Sequence, residues 1–317
     1  DRPGIMTASS VRSYVNRWGV LPGRQTAIFT NNDDGWATAK VLADRGLEVA
    51  AVIDSRDCEP VENIPGTLVI MGSKIVNTTG RKRIKRIILS NGQSITCDCL
   101  AVSGGWSPNV HLTCHQGGRP KWDSTLNAFT PGENLPKNMV VSGSANGSFN
   151  LQAALRESLK VANIVLTDLD FKKSKIVVPS SSDDSYESSA FWYVKESKKR
   201  GWVDFQNDVT VKDIKQSFSE GFRSVEHMKR YTTMGMATDQ GKTSNILGLA
   251  IMAECTGKTI QDTGTTIFRP PYTPIPLGAL AGRSRGKDFR PYRLTCLLYT
   301  SDAADEGLGV DLGGRRI

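Results

Sequence analysis

Residues 26–54 constrain the fold more than any other stretch. Thr26-Ala27-Ile28-Phe29 is a short apolar run, and a helical pattern follows from Ala37 to Arg45. A second apolar run, Val49 to Ile53, ends in Asp54. Strand, turn, helix and strand, with an acid closing the second strand, is the layout of a dinucleotide-binding unit, and it commits this part of the chain to an α/β architecture. Such a unit uses glycines in its first turn so that the backbone can approach a pyrophosphate. Here the turn offers Asn31, Asn32, Asp33 and Asp34, and only Gly35 remains of the glycines. Two carboxylates a few ångström from a dianion cost on the order of kilocalories. The spacing therefore predicts a retained scaffold that no longer binds a nicotinamide nucleotide at this turn. An ordinary helix N-cap made by Asn or Asp fits the same residues.

The neighbouring pattern agrees with this reading. Val11 to Trp18 is helical, and Pro22-Gly23 turns the chain. Leu68-Val69-Ile70, Lys74 to Asn77 and Arg83 to Leu89 read as strands, with turns at Thr79-Gly80 and Asn91-Gly92. The basic run Arg81-Lys82-Arg83-Ile84-Lys85-Arg86 falls on this hairpin and reads as a solvated loop. Leu100-Ala101-Val102 enters the small-residue turn Gly104-Gly105, and Pro108 stops the element. Asn138 to Val141 reads as a further strand, entering the turn Ser142 to Gly147, and Leu151 to Leu166 is helical.

From residue 169 to 200 the composition is linker-like, with Ser180-Ser181-Ser182-Asp183-Asp184 at its centre. A helical half follows. Thr210-Val211-Lys212-Asp213 reads as a capping box, opening a helix to about Ser219. Ser224 opens a second helix, and Thr243 or Ser244 a third that Gly257 closes. Phe268 to Pro276 (FRPPYTPIP) reads as an extended strap.

With 317 residues and a net charge of +8, the chain has room for about two domains. No window approaches the roughly 20 apolar residues of a membrane span, and a nucleic-acid face would need basic residues interleaved with stacking aromatics. Neither a membrane nor a nucleic acid is expected as partner. The six cysteines lack paired metal spacing and read as reduced thiols, which points to the cytoplasm. His111, His115 and His227 read as packing or surface residues, and no catalytic residue is assigned. The chain opens at Asp1-Arg2-Pro3 without a Met and reads as a fragment. Its last segment, Cys296 to Ile317, contains CLLYTSDAADE and VDLGGRRI. Both match translations of sequencing adapters, in order and in frame. That segment is expected to be adapter-derived and unstructured, and is set aside.

Several stretches carry resemblances. Residues 1–168 resemble part of a disulfide-reductase-like flavoprotein, in which a small-residue turn with Pro-Asn follows the hairpin, matched by Ser103-Gly104-Gly105-Trp106-Ser107-Pro108-Asn109. The expected fold class is α/β, a second Rossmann-like unit followed by a small helical module. That module, residues 201–295, resembles a bacterioferritin-associated, ferredoxin-like two-iron domain. The positions matching the cluster's cysteines carry Asp204, Gln206, Asp239 and Ser244. Ligation needs thiolates, so no iron–sulfur cluster is expected. Gly241-Lys242-Thr243 is out of register for a phosphate loop.

Together with RPGIMTASSVRSYVNRWGVLPGR, TNNDD, SGGWSP, VDFQNDVT, GFRSVEHMKRYTTMGMATDQGKTSN and GTTIFRPPYTP, these features are similar to the alpha subunits of heterotetrameric sarcosine oxidases. The resemblance implies an NAD held by the intact subunit, with FAD and FMN elsewhere in the complex, mainly through a beta subunit, and smaller subunits besides. It implies oxidative demethylation of sarcosine, with tetrahydrofolate and oxygen giving glycine, methylene-tetrahydrofolate and peroxide. It places the NAD contacts of this stretch at Gly143, Ser144, Ala145, Asn146, Gly147, Phe149 and Leu151. Lys242, with Arg223, Lys229 and Arg230, is a candidate neighbour of the FMN phosphate, and an exposed solvated face fits the same residues. The fragment by itself is expected to be inactive. The competing readings are the alpha subunit of an FAD-dependent amine or opine dehydrogenase or cyanide-synthase-like complex, and a non-catalytic NAD-binding assembly module.

Overall fold

The computed structural model describes residues 2–181, 186–197, 199–270, 272–276 and 279–280. The segment Cys296 to Ile317, read as adapter-derived, lies outside the described residues, as do residues 182–185 of the serine-rich stretch. Residues Asp1–Arg269 form one compact unit, and the remainder, Pro270–Ile317, a second. The first unit is described below. The part of Phe268 to Pro276 that is described carries neither helix nor strand.

The first half follows its hydrophobic periods. It runs through β1 (Ile5–Thr7), α1 (Ala8–Trp18), β2 (Gln25–Thr30), α2 (Asp33–Asp44), β3 (Glu48–Asp54) and β4 (Leu68–Ile70). Then come β5 (Ile75–Thr79), β6 (Arg86–Leu89), β7 (Ser94–Thr96) and β8 (Cys99–Ser103). Strands β1, β8, β2, β3 and β4 lie in that order in one sheet, and every pair in it is parallel. Strands β5, β6 and β7 form a separate antiparallel sheet inserted before β8.

Successive side chains of a strand face opposite ways, and both faces of the parallel sheet are covered. Ile28, Val52 and Ala101 pack with Val11, Val15, Trp36 and Leu42 of the two helices. Ala27, Ala51, Ile53 and Leu100 pack on the other face with Ile84, Ile87 and Leu89 of the inserted sheet. The basic run forms the rim of that insert: Ile84 is buried while Arg81, Lys82, Arg83, Lys85 and Arg86 are exposed. Gly35 belongs to this packing. A Cβ there would stand 2.4 Å from the side chain of Thr30, so the lone glycine kept in the turn allows α2 to approach β2.

The chain continues through α3 (His111–Cys114) and the hairpin β9 (Lys121–Asp123) and β10 (Ala128–Thr130). Asn138 to Val141 is not a strand, against the sequence expectation. A strand exists only by pairing, and no described strand lies alongside it. Gly143–Asn146 forms a single 3-10 turn leading to α4 (Leu151–Asp168), capped by Asn150 through the Ala153 amide.

The second half comprises the bulged pair β11 (Trp202–Asp204) and β12 (Val209–Thr210), then α5 (Val211–Ser219), α6 (Val225–Thr232), α7 (Asn245–Thr256) and the short α8 (Ile260–Thr263). The capping box is present as read: the Thr210 hydroxyl accepts from the Asp213 amide, and the Asp213 carboxylate accepts from the Thr210 amide. Ser224 caps α6, and Gly257 ends α7 in the left-handed region. Ser244 occupies the N-cap position of α7 without a capping hydrogen bond from its side chain. These helices share a core of Val203, Ile214, Met228, Met234, Leu249 and Ile251, which Phe129 of β10 also enters.

Candidate functional site

In an open α/β sheet, ligands bind outside the carboxyl ends of the strands. Here those ends are Thr30 of β2, Asp54 of β3 and Ser103 of β8. Asn32 ties two of them together: its amide donates to the Ser103 carbonyl (3.1 Å), and its Oδ1 accepts from the Ser103 hydroxyl (2.9 Å). The same Oδ1 caps α2 by accepting from the Asp34 amide at 3.0 Å. This cap starts the helix at Asp33, four residues ahead of the apolar pattern.

The two carboxylates of the turn are paired within the chain. Asp34 meets Arg12 of α1 at 2.6 Å. Asp33 meets Arg56 at 2.8 Å, and Arg56 also grips Asp54 at 2.8 Å. Asp54 is fully buried and accepts from the Trp36 indole (2.8 Å) and the Arg56 amide (2.9 Å) as well. Burial alone would lower the Arg56 pKa. The hydrogen bonds to Asp54 and Asp33 reverse this and raise it, so the guanidinium stays charged. Thus the acid that in a dinucleotide unit meets a ribose is already satisfied.

Residues 187–189, from the stretch of linker-like composition, lie across this turn. The Asp33 amide donates to the Glu187 carbonyl (3.1 Å), and the Glu187 amide donates back to Asp33 Oδ2 (2.7 Å). Ser189 and Asn31 exchange a second pair of bonds, at 2.9 and 2.6 Å. A helix N-terminal amide that would otherwise be open to a phosphate is therefore held by backbone.

Next to this closed turn lies a cleft of about 950 Å³. Asp33, Asp34, Lys40 and Glu62 line one side, and Trp106, Phe149 and Tyr186 supply rings. Phe149 meets Tyr186 edge-on at 5.1 Å, and the Tyr186 hydroxyl accepts from the Trp106 amide at 3.0 Å. Burial raises the Tyr186 pKa, so the phenol stays protonated. Of the seven residues picked from the sequence, Ser144, Ala145, Phe149 and Leu151 line this cleft. Gly143, Asn146 and Gly147 do not. They shape the turn behind it, where Glu157 of α4 accepts from the Gly143 amide (2.9 Å), the Asn146 amide group (2.5 Å) and the Ser148 hydroxyl (2.7 Å). Burial alone would raise the Glu157 pKa, but these three donors hold it below the usual range.

A second constellation surrounds Asp204. Its buried carboxylate accepts from the amides of Gly235 (2.7 Å), Gln206 (2.8 Å) and Asn207 (3.1 Å). Burial would raise its pKa, and the three amides outweigh that and lower it. Gln206 accepts from Thr238 at 3.1 Å, which brings the loop before β12 against the loop before α7. Asp239 turns instead onto the Gly241 amide and the Thr243 hydroxyl. The Ser244 hydroxyl is buried with no hydrogen-bond partner. Among the described residues, no group of three or more His, Cys, Asp or Glu side chains is placed to hold a metal ion. The described cysteines, Cys58, Cys97, Cys99, Cys114 and Cys255, are all free thiols.

Lys242 is half-buried beside His111, Asn245 and Phe268 around a cavity of about 30 Å³. Burial first, then the Lys242 charge, lowers the His111 pKa to about 4, so this imidazole is neutral at physiological pH. Arg230 is paired with Glu226 at 2.9 Å, and Arg223 lies 3.9 Å over the Phe218 ring. Burial lowers the Lys229 pKa. Arg12, Arg56, Glu157 and Tyr186 escaped the sequence reading. The only local signal was Arg56, two residues after the strand-closing Asp54.

Residues 198–283 match the Sarcosine oxidase A3 domain. Over 298 residues, 92% of the chain, the sequence is 40% identical to a sarcosine oxidase subunit alpha from Rhizobium meliloti (strain 1021). It is 35% identical to that of Corynebacterium sp. (strain U-96) over 94% of the chain. The chain spans 30% and 33% of the length of these two relatives. Among solved structures, L-proline dehydrogenase from P. horikoshii shares the fold, with a TM-score of 0.62 at 17% identity over 87% of this chain and 53% of that one.

Proposed function

We propose that this chain, a homologue of sarcosine oxidase alpha subunits over nearly its whole length, is part of the alpha subunit of a sarcosine oxidase complex. The observation that carries the reading is the agreement of the 40% identical relative across both halves of the chain, with the A3 domain match in the second. The complex would oxidise the N-methyl group of sarcosine in the cytoplasm, giving glycine, with tetrahydrofolate and oxygen yielding methylene-tetrahydrofolate and peroxide. FAD and FMN would be held mainly through the beta subunit of a heterotetramer, and this stretch would supply NAD-binding scaffold and assembly surface.

The cleft fits part of that assignment. Its volume is of the size that ligand sites use, about 300–1,000 Å³. The rings of Trp106, Phe149 and Tyr186, with the exposed Ser144 hydroxyl, suit a base or a ribose of NAD. Asp33 and Asp34 do not suit its pyrophosphate, so the phosphates would lie away from that side. Ser144, Ala145, Phe149 and Leu151 are the contacts in this reading, and Gly143, Asn146 and Gly147 hold the turn in shape. Lys242 remains the candidate FMN neighbour. Its cavity takes only a water-sized group, so a flavin phosphate would meet the lysine from outside it.

The helical module is read as a ferredoxin-like domain without its cluster, because none of Asp204, Gln206, Asp239 and Ser244 supplies a thiolate. Asp204 would stand where that module's first thiolate does, its charge held by the amides of Gly235, Gln206 and Asn207. The test is to express the complete subunit with its companion subunits and assay peroxide formation from sarcosine. Sarcosine-dependent peroxide supports the proposal. A complex that oxidises another secondary amine but not sarcosine would overturn it in favour of the amine or opine dehydrogenase reading.

A further inference from the structure

A second cavity, of about 690 Å³, lies between residues 193–195, 197, 199 and 200 and the start of α5. Five cationic side chains line it: Lys195, Lys199, Arg200, Lys212 and Lys215. All five are exposed. Only Asp208 and Asp213 oppose them within the groove. Lys195 is paired with Glu254 outside it at 2.5 Å. Lys215 donates to the Tyr193 hydroxyl at 3.0 Å, and the Lys195 and Lys215 ammonium groups lie 5.8 and 5.3 Å from that ring. Lys199, Arg200 and Lys212 form no ion pair with a carboxylate among the described residues. Three unneutralised cations therefore converge on a groove with an aromatic wall.

The groove lacks the features of a built phosphate site. Phosphate cages use free helix N-terminal amides and forked donors. At α5 two of those amides are already used. Val211 donates to the Gly201 carbonyl at 2.8 Å, and Asp213 to the Thr210 hydroxyl. The Asp213 carboxylate sits where a phosphate would accept from the Thr210 amide, at 2.8 Å. Four of the five cations are lysines, which act as mobile point charges. An open, diffuse positive field of this kind suits a chain of spaced carboxylates, which brings its own charges to the lysines and needs no cage.

We propose that this groove docks an acidic, aspartate- and glutamate-rich segment of a companion subunit. The proposal rests on the multi-subunit reading above. Two variants of the full chain test it. Lys199→Glu, Arg200→Glu and Lys212→Glu together reverse the unpaired groove charges. Arg81→Glu, Lys82→Glu and Arg83→Glu reverse as many exposed charges on the distant hairpin rim. A fluorescent glutamate-rich peptide is titrated against each, at low and at physiological salt, after circular dichroism has established that both are folded. Loss of roughly 10- to 100-fold in affinity at low salt by the groove variant, with little change in the rim variant, is the expected result. Equal loss in both would show that net charge alone binds the peptide, and no loss in the groove variant would show that the peptide binds elsewhere. Either overturns the proposal, as does displacement of the peptide by inorganic pyrophosphate beyond its ionic-strength effect. The complete subunit is then co-expressed with its companions. If the groove variant assembles as the unaltered subunit does, the groove assignment falls and the function reading stands. If the unaltered subunit assembles with nothing, the function reading falls and takes the groove with it.

Discussion

The β2–α2 turn and the corner around Asp204 each set a carboxylate of the chain among backbone amides, where the sequence places a cofactor motif, but they neutralise it differently. At the turn, Asp33 and the buried Asp54 share the Arg56 guanidinium, and Glu187 closes over them. At the corner, Asp204 has three amides and, among the described residues, no ion pair. The first arrangement is an ion-pair network whose members depend on one another. The second is an anion in a cradle of dipoles, which only weakens as each donor is lost. A carboxylate at a turn can thus be held by charge pairing or by backbone donors, and the two leave different signatures under mutation.

The contrast is broken most severely at Arg56. Replacing it with Met leaves Asp54 buried and uncompensated, and unfolding in urea should show a loss of about 3–5 kcal/mol. A loss below about 1 kcal/mol would mean that the network is not a stabilising unit. At the corner, Asp204→Ala orphans the three amides and should cost about 2–3 kcal/mol, with Asp204→Asn costing roughly half of that.

Acid distinguishes Asp204 from the buried His111. Asp204 has a depressed pKa, so its contribution is fully present above the ordinary carboxylate value of about 3.9 and is lost as pH falls through its lower folded value. His111 acts earlier. The unfolded chain takes a proton there below about pH 6.5, while the folded imidazole resists until about 4. Stability therefore falls with pH through that window. A His111→Gln variant should flatten the urea midpoint between those limits, and an unchanged slope would contradict the burial argument. The smallest effect expected is at the α5 cap, where Thr210→Ala should cost about 1 kcal/mol, because the Asp213 amide then loses its acceptor.

Local chemistry was legible in the sequence. The apolar runs 26–29 and 49–53 became neighbouring parallel strands joined by the helix between them, and the Thr210 capping box, decided within four residues, formed as read. Gly35 was legible as the motif's remnant, but its packing against Thr30 required the fold. The closure of the turn was not legible, because Arg56 and Glu187 lie 131 residues apart and meet only in the folded chain. The same holds for Glu157, which a helix pattern marks as an ordinary surface acid until the Gly143 turn folds onto it. Asn138 to Val141 carries strand-like residues, and pairing, which sequence period does not report, decided against it.

Residues 187–189 close the β2–α2 turn, and the NAD proposed for this chain would therefore lie on the other side of the cleft. Amide hydrogen exchange on the complete subunit, with and without NAD, distinguishes the two sides. The amides of Asp33, Glu187 and Ser189 should exchange equally slowly in both states, while those of Ser144 to Leu151 slow when NAD binds. Faster exchange at Glu187 and Ser189 on adding NAD, with new protection at Asp34 and Gly35, would mean that the cofactor opens the turn instead.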